Sequence, residues 1–372
     1  MKLEAFLTER WLNLHEDRAL YNIAETDIKS FKLQELIDIC DEPEMLNQLL
    51  DIKLTYSPTP GSDGLREAIA SLYKNCKAEN ILVTNGAMEA EFLLMNSIVN
   101  AGDRVIVQYP AYQSLHSIAR ARGAEIQFWE VPPTGSRTAD VTKLLEMMNE
   151  DIDLVVLNTP QNPTGAVIPT SSMQLVVEKA KQHGIKLVCD EVYHGLSINA
   201  EETAHVFDLW DEAISVGSLS KSFGLSGLRL GWIAGPKELV TSSWQWKDYT
   251  TITNSPVSDY LARKALKHIK PIMERNRKIA QNNLDYITDW FTSRSDEYDF
   301  IAPNGGVLCF PKLRRITGSS EPFCISLLEN TGVFIVPGDC FGFPGHVRIG
   351  FGGDLEILKI GLKKMHAHLL NF

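Results

Sequence analysis

The stretch SLSKSFGLSGLRLGW, Ser218 to Trp232, follows the apolar run Ala213-Ile214-Ser215-Val216-Gly217. It sets one lysine, Lys221, among serines and glycines directly after a run that reads as a buried strand. Lysines ordinarily lie on wet surfaces. Here the residues around it are small, and small residues at a strand end let a ligand come close to the backbone. Lys221 is therefore a candidate for chemistry rather than for solubility.

The same arrangement recurs along the chain. Ile81–Thr84 ends at Asn85-Gly86, and Val105–Val107 ends near Tyr109-Pro110-Ala111-Tyr112. Leu154–Leu157 ends at NTPQNPTG, Asn158 to Gly165, and Ile185–Cys189 ends at Asp190-Glu191-Val192-Tyr193. Leu230–Ala234 reads as one more strand. Helical patterns lie between these runs. Gly86 opens one over Ala87 to Asn100, with Met88 and Phe92 on its core side. Another is capped by Thr170 or Ser171, runs through Leu175, Val176 and Ala180, and stops at Gly184. Strands alternating with helices predict an α/β fold with a mostly parallel, doubly wound sheet. Such sheets bind ligands beyond the carboxyl ends of their strands. The unusual residues of five segments all fall there, so they are expected along one edge.

After about residue 260 the pattern changes to basic helical sequence, then to strand signals around Gly305–Phe310 and His346–Ile349. This predicts a large domain over 46–260. Residues 1–45 and 261–372 are expected to form an N-terminal arm and a smaller α+β domain.

Bulk properties bound the function. The 372 residues carry a net charge of −11, with 44% hydrophobic and 22% charged residues. That is the balance of a globular protein large enough for a sizeable core. The acidic excess excludes nucleic acid and acidic membrane surfaces as expected partners. The six cysteines, among them Cys189 and Cys309, form no C-x-x-C pair and no metal-ligand spacing, so no metal is expected. They read as buried thiols of a reducing compartment. The charged start lacks a signal-peptide core, and no apolar run reaches the roughly 18 residues of a membrane span. A cytoplasmic location is expected.

Gathered at one edge, Lys221, Asp190, Tyr193, Asn162, Tyr112, Arg229 and the Asn85-Gly86-Ala87 turn offer a specific set of groups. They are an amine, a carboxylate, a phenol, an amide, an aromatic face, a guanidinium and a helix N-terminus. A helix start with free N–H groups suits a phosphate, and Arg229 and Ser218 can add charge and hydrogen bonds. An amine beside an anion site, an aromatic stack and an acid is what a phosphorylated aromatic aldehyde needs. Each residue alone has a plainer reading: a surface lysine, a turn acid, an ordinary turn at Asn162–Gly165, half-buried tyrosines. It is their joint order that argues for a site.

That order resembles the class I/II aminotransferases of the fold-type I pyridoxal 5′-phosphate (PLP) family. Its lysine signature is matched by S-x-S-K-x-x-G-x-x-G-x-R-x-G-W at 218–232. N-x-P-x-N-P-T-G at 158–165 and D-E-V-Y at 190–193 match two further motifs in the right order. YSPTPGSDGLREAIA at 56–70 and VRIGF at 347–351 resemble two more. The resemblance implies an aspartate aminotransferase-like fold and assigns roles. Lys221 would form the Schiff base with the cofactor and shuttle the proton, with its pKa depressed by desolvation and by Arg229. Asp190 would pair with the ring nitrogen. Asn162 and Tyr193 would bind the ring's phenolic oxygen, and Tyr112 would stack on the ring. Backbone N–H groups of Gly86, Ala87 and Met88 would hold the phosphate with Ser218, Ser220 and Arg229. Arg348, with Asn162 nearby, would clamp the substrate carboxylate. Tyr56 would reach the phosphate of a neighbouring subunit, which implies a homodimer with shared sites. His194 is set aside as an acid–base group, since Lys221 already moves the proton.

One departure stands out. Where the family carries a glycine-proline turn near the substrate carboxylate, this chain reads Asn22-Ile23-Ala24-Glu25-Thr26-Asp27, so Glu25 and Thr26 are expected to present polar groups to the substrate. The expected activity is transfer of an amino group from an L-amino acid to a 2-oxo acid. The alternative is another PLP reaction on an amino acid: β-elimination, cyclisation or oxidation. A non-catalytic PLP-sensing effector domain needs an added DNA-binding segment, for which no room precedes the first motif. A nicotinamide dehydrogenase needs a strand followed by G-x-G-x-x-G, which is missing.

Overall fold

A computed structural model describes residues 2–133 and 135–372. The apolar runs form one seven-stranded sheet: β1 (Ile81–Thr84), β2 (Arg104–Tyr109), β3 (Glu125–Glu130), β4 (Leu154–Asn158), β5 (Lys186–Asp190), β6 (Ile214–Ser218) and β7 (Gly231–Ala234). Their spatial order is β1-β7-β6-β5-β4-β2-β3. Neighbours run parallel except β7, which is antiparallel to both β1 and β6. Every residue of β1, β4, β6 and β7 is buried. That two-sided burial is why these strands read as unbroken apolar runs. The edge strand β3, with sequence EIQFWE, alternates exposed and covered positions. Its charged residues hid it in the sequence, where only apolar runs were read as strands.

Helices cover both faces. The helix Ala87–Ile98 buries Ala90, Leu93 and Leu94 against one face; it ends two residues short of the expected Asn100 because Val99 turns extended. On the other face lies Thr170–His183, which buries Met173, Val176 and Ala180 and stops at the left-handed Gly184 (φ 68°). Its N-cap is Pro169, not Thr170 or Ser171 as expected. The Thr170 hydroxyl instead accepts from the Ala204 N–H at 3.0 Å, which ties the helix start to a neighbouring loop. Leu175 is half-exposed and faces solvent.

Beyond the sheet, Val347–Gly350 pairs antiparallel with Leu308–Cys309 and with Val336–Pro337. Tyr21–Asn22 pairs in parallel with Val333–Phe334. One core joins Trp11, Ile23 and Ile28 to Phe291, Phe310, Phe334 and Leu362. Leu36, Cys40 and Met45 pack elsewhere, with Leu65, Ile69, Tyr260 and Leu261 against β1 and β7. The N-terminal residues thus cross from one core to the other, passing over the strand ends. Among the described residues, no helix is long and apolar enough to cross a membrane.

Candidate active site

The carboxyl ends of β1, β2, β4, β5 and β6 point their following residues at a cavity of about 200 Å³. Ala87, Met88, Tyr112, Asn162, Asp190, Tyr193, Ser218, Ser220, Lys221, Arg229 and Arg348 all line it. The five segments meet because parallel strands deliver their turns to the same edge.

One end of the cavity is an anion cradle. The 12-residue helix Ala87–Ile98 starts there with Gly86 as its N-cap at φ 81°, so its first N–H groups are free to bind. A Cβ on Gly86 would stand 2.5 Å from Arg229 Nη2, and one on Gly231 would stand 2.6 Å from the Ala87 nitrogen. Only glycines allow this close approach. The Ser218 hydroxyl donates to the Leu230 carbonyl at 3.2 Å and accepts from the Ser220 N–H at 2.9 Å. Arg229, itself left-handed at φ 50°, donates to the Ser226 carbonyl at 2.9 Å and to the Ser220 hydroxyl at 3.4 Å.

The middle holds the reactive groups. Lys221 Nζ donates to the Thr26 hydroxyl at 2.9 Å. Desolvation lowers the pKa of this amine against the opposing charge of Asp27; the cation that pushes the same way as burial is Arg348, not Arg229 as expected. Asp190 is buried at the end of β5, where burial lifts its carboxyl to about 7 while one oxygen accepts from the Val192 N–H at 3.0 Å. The Tyr193 hydroxyl is buried beside the Thr26 hydroxyl and makes no well-formed hydrogen bond. Burial also pushes its pKa upward, so it waits as a donor.

At the far end, Arg348 is buried; its guanidinium donates to Asn162 Oδ1 at 3.4 Å and to the Ala24 carbonyl at 3.2 Å, and its Nε is unpartnered. The strand bearing Arg348 is pressed against the N-terminal segment. Gly350 N–H donates to the Ile23 carbonyl at 2.8 Å, and a Cβ on Gly350 would lie 1.5 Å from the Glu25 carbonyl oxygen. The N-terminal helix Leu7–His15 roofs this end with Glu9 and Leu12. The Tyr112 hydroxyl donates to the Glu9 carboxylate.

The sequence matches the profile of the family "Aminotransferase class I and II" over residues 47–365. This chain belongs to that family. A PLP-dependent aminotransferase from Streptococcus suis is 35% identical in sequence, with a TM-score of 0.94 over 100% of this chain and 99% of that one. The capreomycidine synthase of Streptomyces vinaceus is 29% identical over 99% of this chain and 94% of its own length. The PLP-dependent cyclase OrfR is 29% identical, with a TM-score of 0.93 over 100% of this chain and 98% of that one. Members of the family use PLP, and it is the cofactor of this class I and II aminotransferase family member.

The cavity of this family member suits that cofactor on its own evidence. The glycine cradle leaves room for a phosphate beside Arg229, the buried Tyr193 hydroxyl makes no well-formed hydrogen bond, and a desolvated amine faces a buried carboxyl. Of the residues named from sequence, Tyr56 lies outside the cavity and is 82% exposed. Thr26 enters it, whereas Glu25 points outward and accepts from Asn22 Nδ2 at 3.4 Å. His194 also lies elsewhere, stacked on His205 at 3.7 Å between ring centroids. Met88, read as helix core, lines the cavity with its side chain half-buried. Sequence reasoning missed Glu9, Leu12 and Glu91. Glu91 had a signal, an acid inside the otherwise apolar stretch AEFLLM, Ala90 to Met95. Glu9 had none, since it sits among other charged residues of the first helix.

Proposed function

We propose that the protein transfers the amino group of an L-amino acid with a cationic side chain to a 2-oxo acid. The observation that carries this reading is the charge census of the cavity. Its charged and ionisable lining consists of Glu9, Glu91, Asp190, Lys221, Arg229 and Arg348, with the phenols Tyr112 and Tyr193. Arg229 takes the phosphate, Asp190 the ring nitrogen, Lys221 the reacting carbon, and Arg348 the substrate carboxylate. Glu91 is buried beside Asp190, where burial pushes it up to about 8, so it is neutral. The Glu9 carboxylate remains, at the end where a substrate side chain emerges. No cation is left over for a second carboxylate, so a dicarboxylic substrate is disfavoured.

Bound PLP supplies an electrophilic carbon and an electron-accepting ring. The protein's residues do the rest. The Asp190 carboxylate holds a proton on the ring nitrogen, which keeps the ring electron-poor. Tyr193 and Asn162 bind the ring's phenolic oxygen. Arg348 grips the α-carboxylate through two guanidinium nitrogens, which fixes the Cα–H bond toward Lys221. Lys221 Nζ, poorly solvated and held by Thr26, would with the cofactor bound take up the Cα proton and hold it for return. Lys221 is the only amine among the lining residues, and no imidazole joins it. One base serving two carbons favours amino transfer.

A second reading, cyclisation of such an amino acid, is favoured by the similarity to the PLP-dependent cyclase OrfR along nearly the whole chain. The test is a panel of lysine, arginine, ornithine, aspartate and phenylalanine, with absorbance following conversion of the cofactor to its amine form. Conversion by the cationic amino acids, reversed by a 2-oxo acid, is the expected result. Conversion by aspartate or phenylalanine alone rejects the side-chain assignment. A cyclic product without oxo acid turnover replaces transfer by the second reading.

We also propose that the protein acts as a homodimer with Tyr56 serving the partner's phosphate site. Tyr56 is exposed on the single chain, as are Leu50, Leu54 and Tyr249. The two segments carrying them are tied together by Lys247, whose Nζ donates to the Thr59 carbonyl at 2.6 Å.

A further inference from the structure

Glu91 sits one turn into the helix Ala87–Ile98, between Ala90 and Leu93 on the buried face, and is 3% exposed. It lines the same cavity as Asp190. Its Oε2 makes no well-formed hydrogen bond; the buried Ser114 hydroxyl lies beside it, and that neutral group favours the carboxylate less than burial and the Asp190 charge oppose it. None of the cations of the cavity is committed to it: Lys221 is bonded to Thr26, Arg229 to Ser220 and Ser226, and Arg348 to Asn162 and Ala24. A carboxyl buried without a cation stays protonated, because desolvation penalises only the charged form. Two carboxyls facing one cavity cannot both ionise cheaply, and environments that treat them differently divide their roles.

We propose that Glu91 is a positioning residue held as a neutral carboxylic acid, and that the Glu91–Asp190 pair, rather than Asp190 alone, sets the proton count at the ring-nitrogen end of the cavity. This rests on the cofactor occupying the cavity as described above. Asp190 is the readier of the two to ionise, because the Val192 N–H and the Lys221 charge favour its carboxylate, and one negative charge on the pair would match the single positive charge of a protonated ring nitrogen. Burial lifts Glu91 to about 8, reinforced by the Asp190 charge and opposed by Ser114, and lifts Asp190 to about 7, reinforced by Glu191 and opposed by the Val192 N–H and the Lys221 charge. The other titratable groups facing the cavity are Glu9, Tyr112, Tyr193, Lys221, Arg229 and Arg348. Burial and the Glu9 carboxylate keep the Tyr112 phenol protonated. As pH rises past the Glu91 titration, a second negative charge appears and holds the ring-nitrogen proton to higher pH. Glu91→Gln removes that charge and keeps the shape.

The test has two readouts on the holoenzyme. Infrared difference titration of the wild-type protein is expected to show a protonated carboxyl at neutral pH that ionises on the alkaline side and is missing in Glu91→Gln. Nuclear magnetic resonance of an isotope-labelled ring nitrogen is expected to show Glu91→Gln losing the ring proton about one pH unit below wild type, the scale of one nearby charge. A wild-type protein with no protonated carboxyl at neutral pH overturns the proposal without any variant. So does an unchanged ring-nitrogen titration in Glu91→Gln. Visible absorbance of the bound cofactor reports separately on the reading beneath it: a colourless protein fails that reading, whereas a coloured one with unaltered titration fails only Glu91.

Discussion

Arg348 reaches the cavity from a strand whose other contacts hold it rigid, and its guanidinium gives up water on every side. Burial lowers its pKa, but a guanidinium stays charged at any ordinary pH. A buried cation with a free Nε gains most from an anion that can fill it. Removing it should therefore weaken amino-acid binding far more than cofactor binding. For Arg348→Ala, loss of about 2–5 kcal/mol in substrate affinity is expected, on the scale of a truncated buried charge pair. Spectral titration with amino acid checks this, and an unchanged apparent affinity refutes the assignment. At this scale Lys221, Asp190, Tyr193, Asn162 and Arg229 were legible in the sequence because motif spacing encodes strand-end geometry. Glu9 was not, because the contact between residues 9 and 112 is made by folding, and nothing in a charged first helix announces which acid turns inward.

Between elements, Glu42 is a clamp. Its carboxylate accepts from Lys264, from Lys267 at 2.8 Å and from His268 at 2.8 Å, fastening the turn after the helix Leu33–Cys40 to the end of the helix Pro256–Lys267. These three donors, Lys264 foremost, hold the carboxyl down to about 2. A depressed carboxylate stabilises the folded state fully above its ordinary pKa of about 4.3. That contribution fades as pH falls from there toward about 2. Glu42→Gln is thus expected to lower the melting temperature at pH 7, by about 1 kcal/mol of stability given the partial exposure of the site, and to make little difference near pH 2. Calorimetry at both pH values checks the sign, and a penalty that grows with acid contradicts it. The missed elements have similar local causes. The strand Glu125–Glu130 was obscured by its half-wet edge position, and the cap at Pro169 by a threonine whose hydroxyl served another loop.

For the molecule as a whole, the exposed apolar side chains of Leu50, Leu54, Tyr56 and Tyr249 call for a cover. On the proposed shared-site reading, sedimentation is expected to give a dimer, and Tyr56→Phe is expected to weaken cofactor retention without dissociating the dimer, because only the proposed hydroxyl–phosphate contact would be lost. A monomer with full cofactor affinity refutes the shared-site reading. The doubly wound sheet was readable from alternating apolar runs and helices. The crossing of the N-terminal residues between the two cores was not, since Tyr21–Asn22 find Val333–Phe334 some three hundred positions away.

That crossing has a consequence for synthesis. Glu9 and Thr26 leave the ribosome more than three hundred residues before Arg348 and Gly350, which press against the same segment. The sheet can assemble as translation proceeds, yet the cavity lacks Arg348 and the strand that presses on its N-terminal segment until Val347–Gly350 has emerged. Truncated products should consequently be inert for amino-acid turnover, however well their sheet has formed.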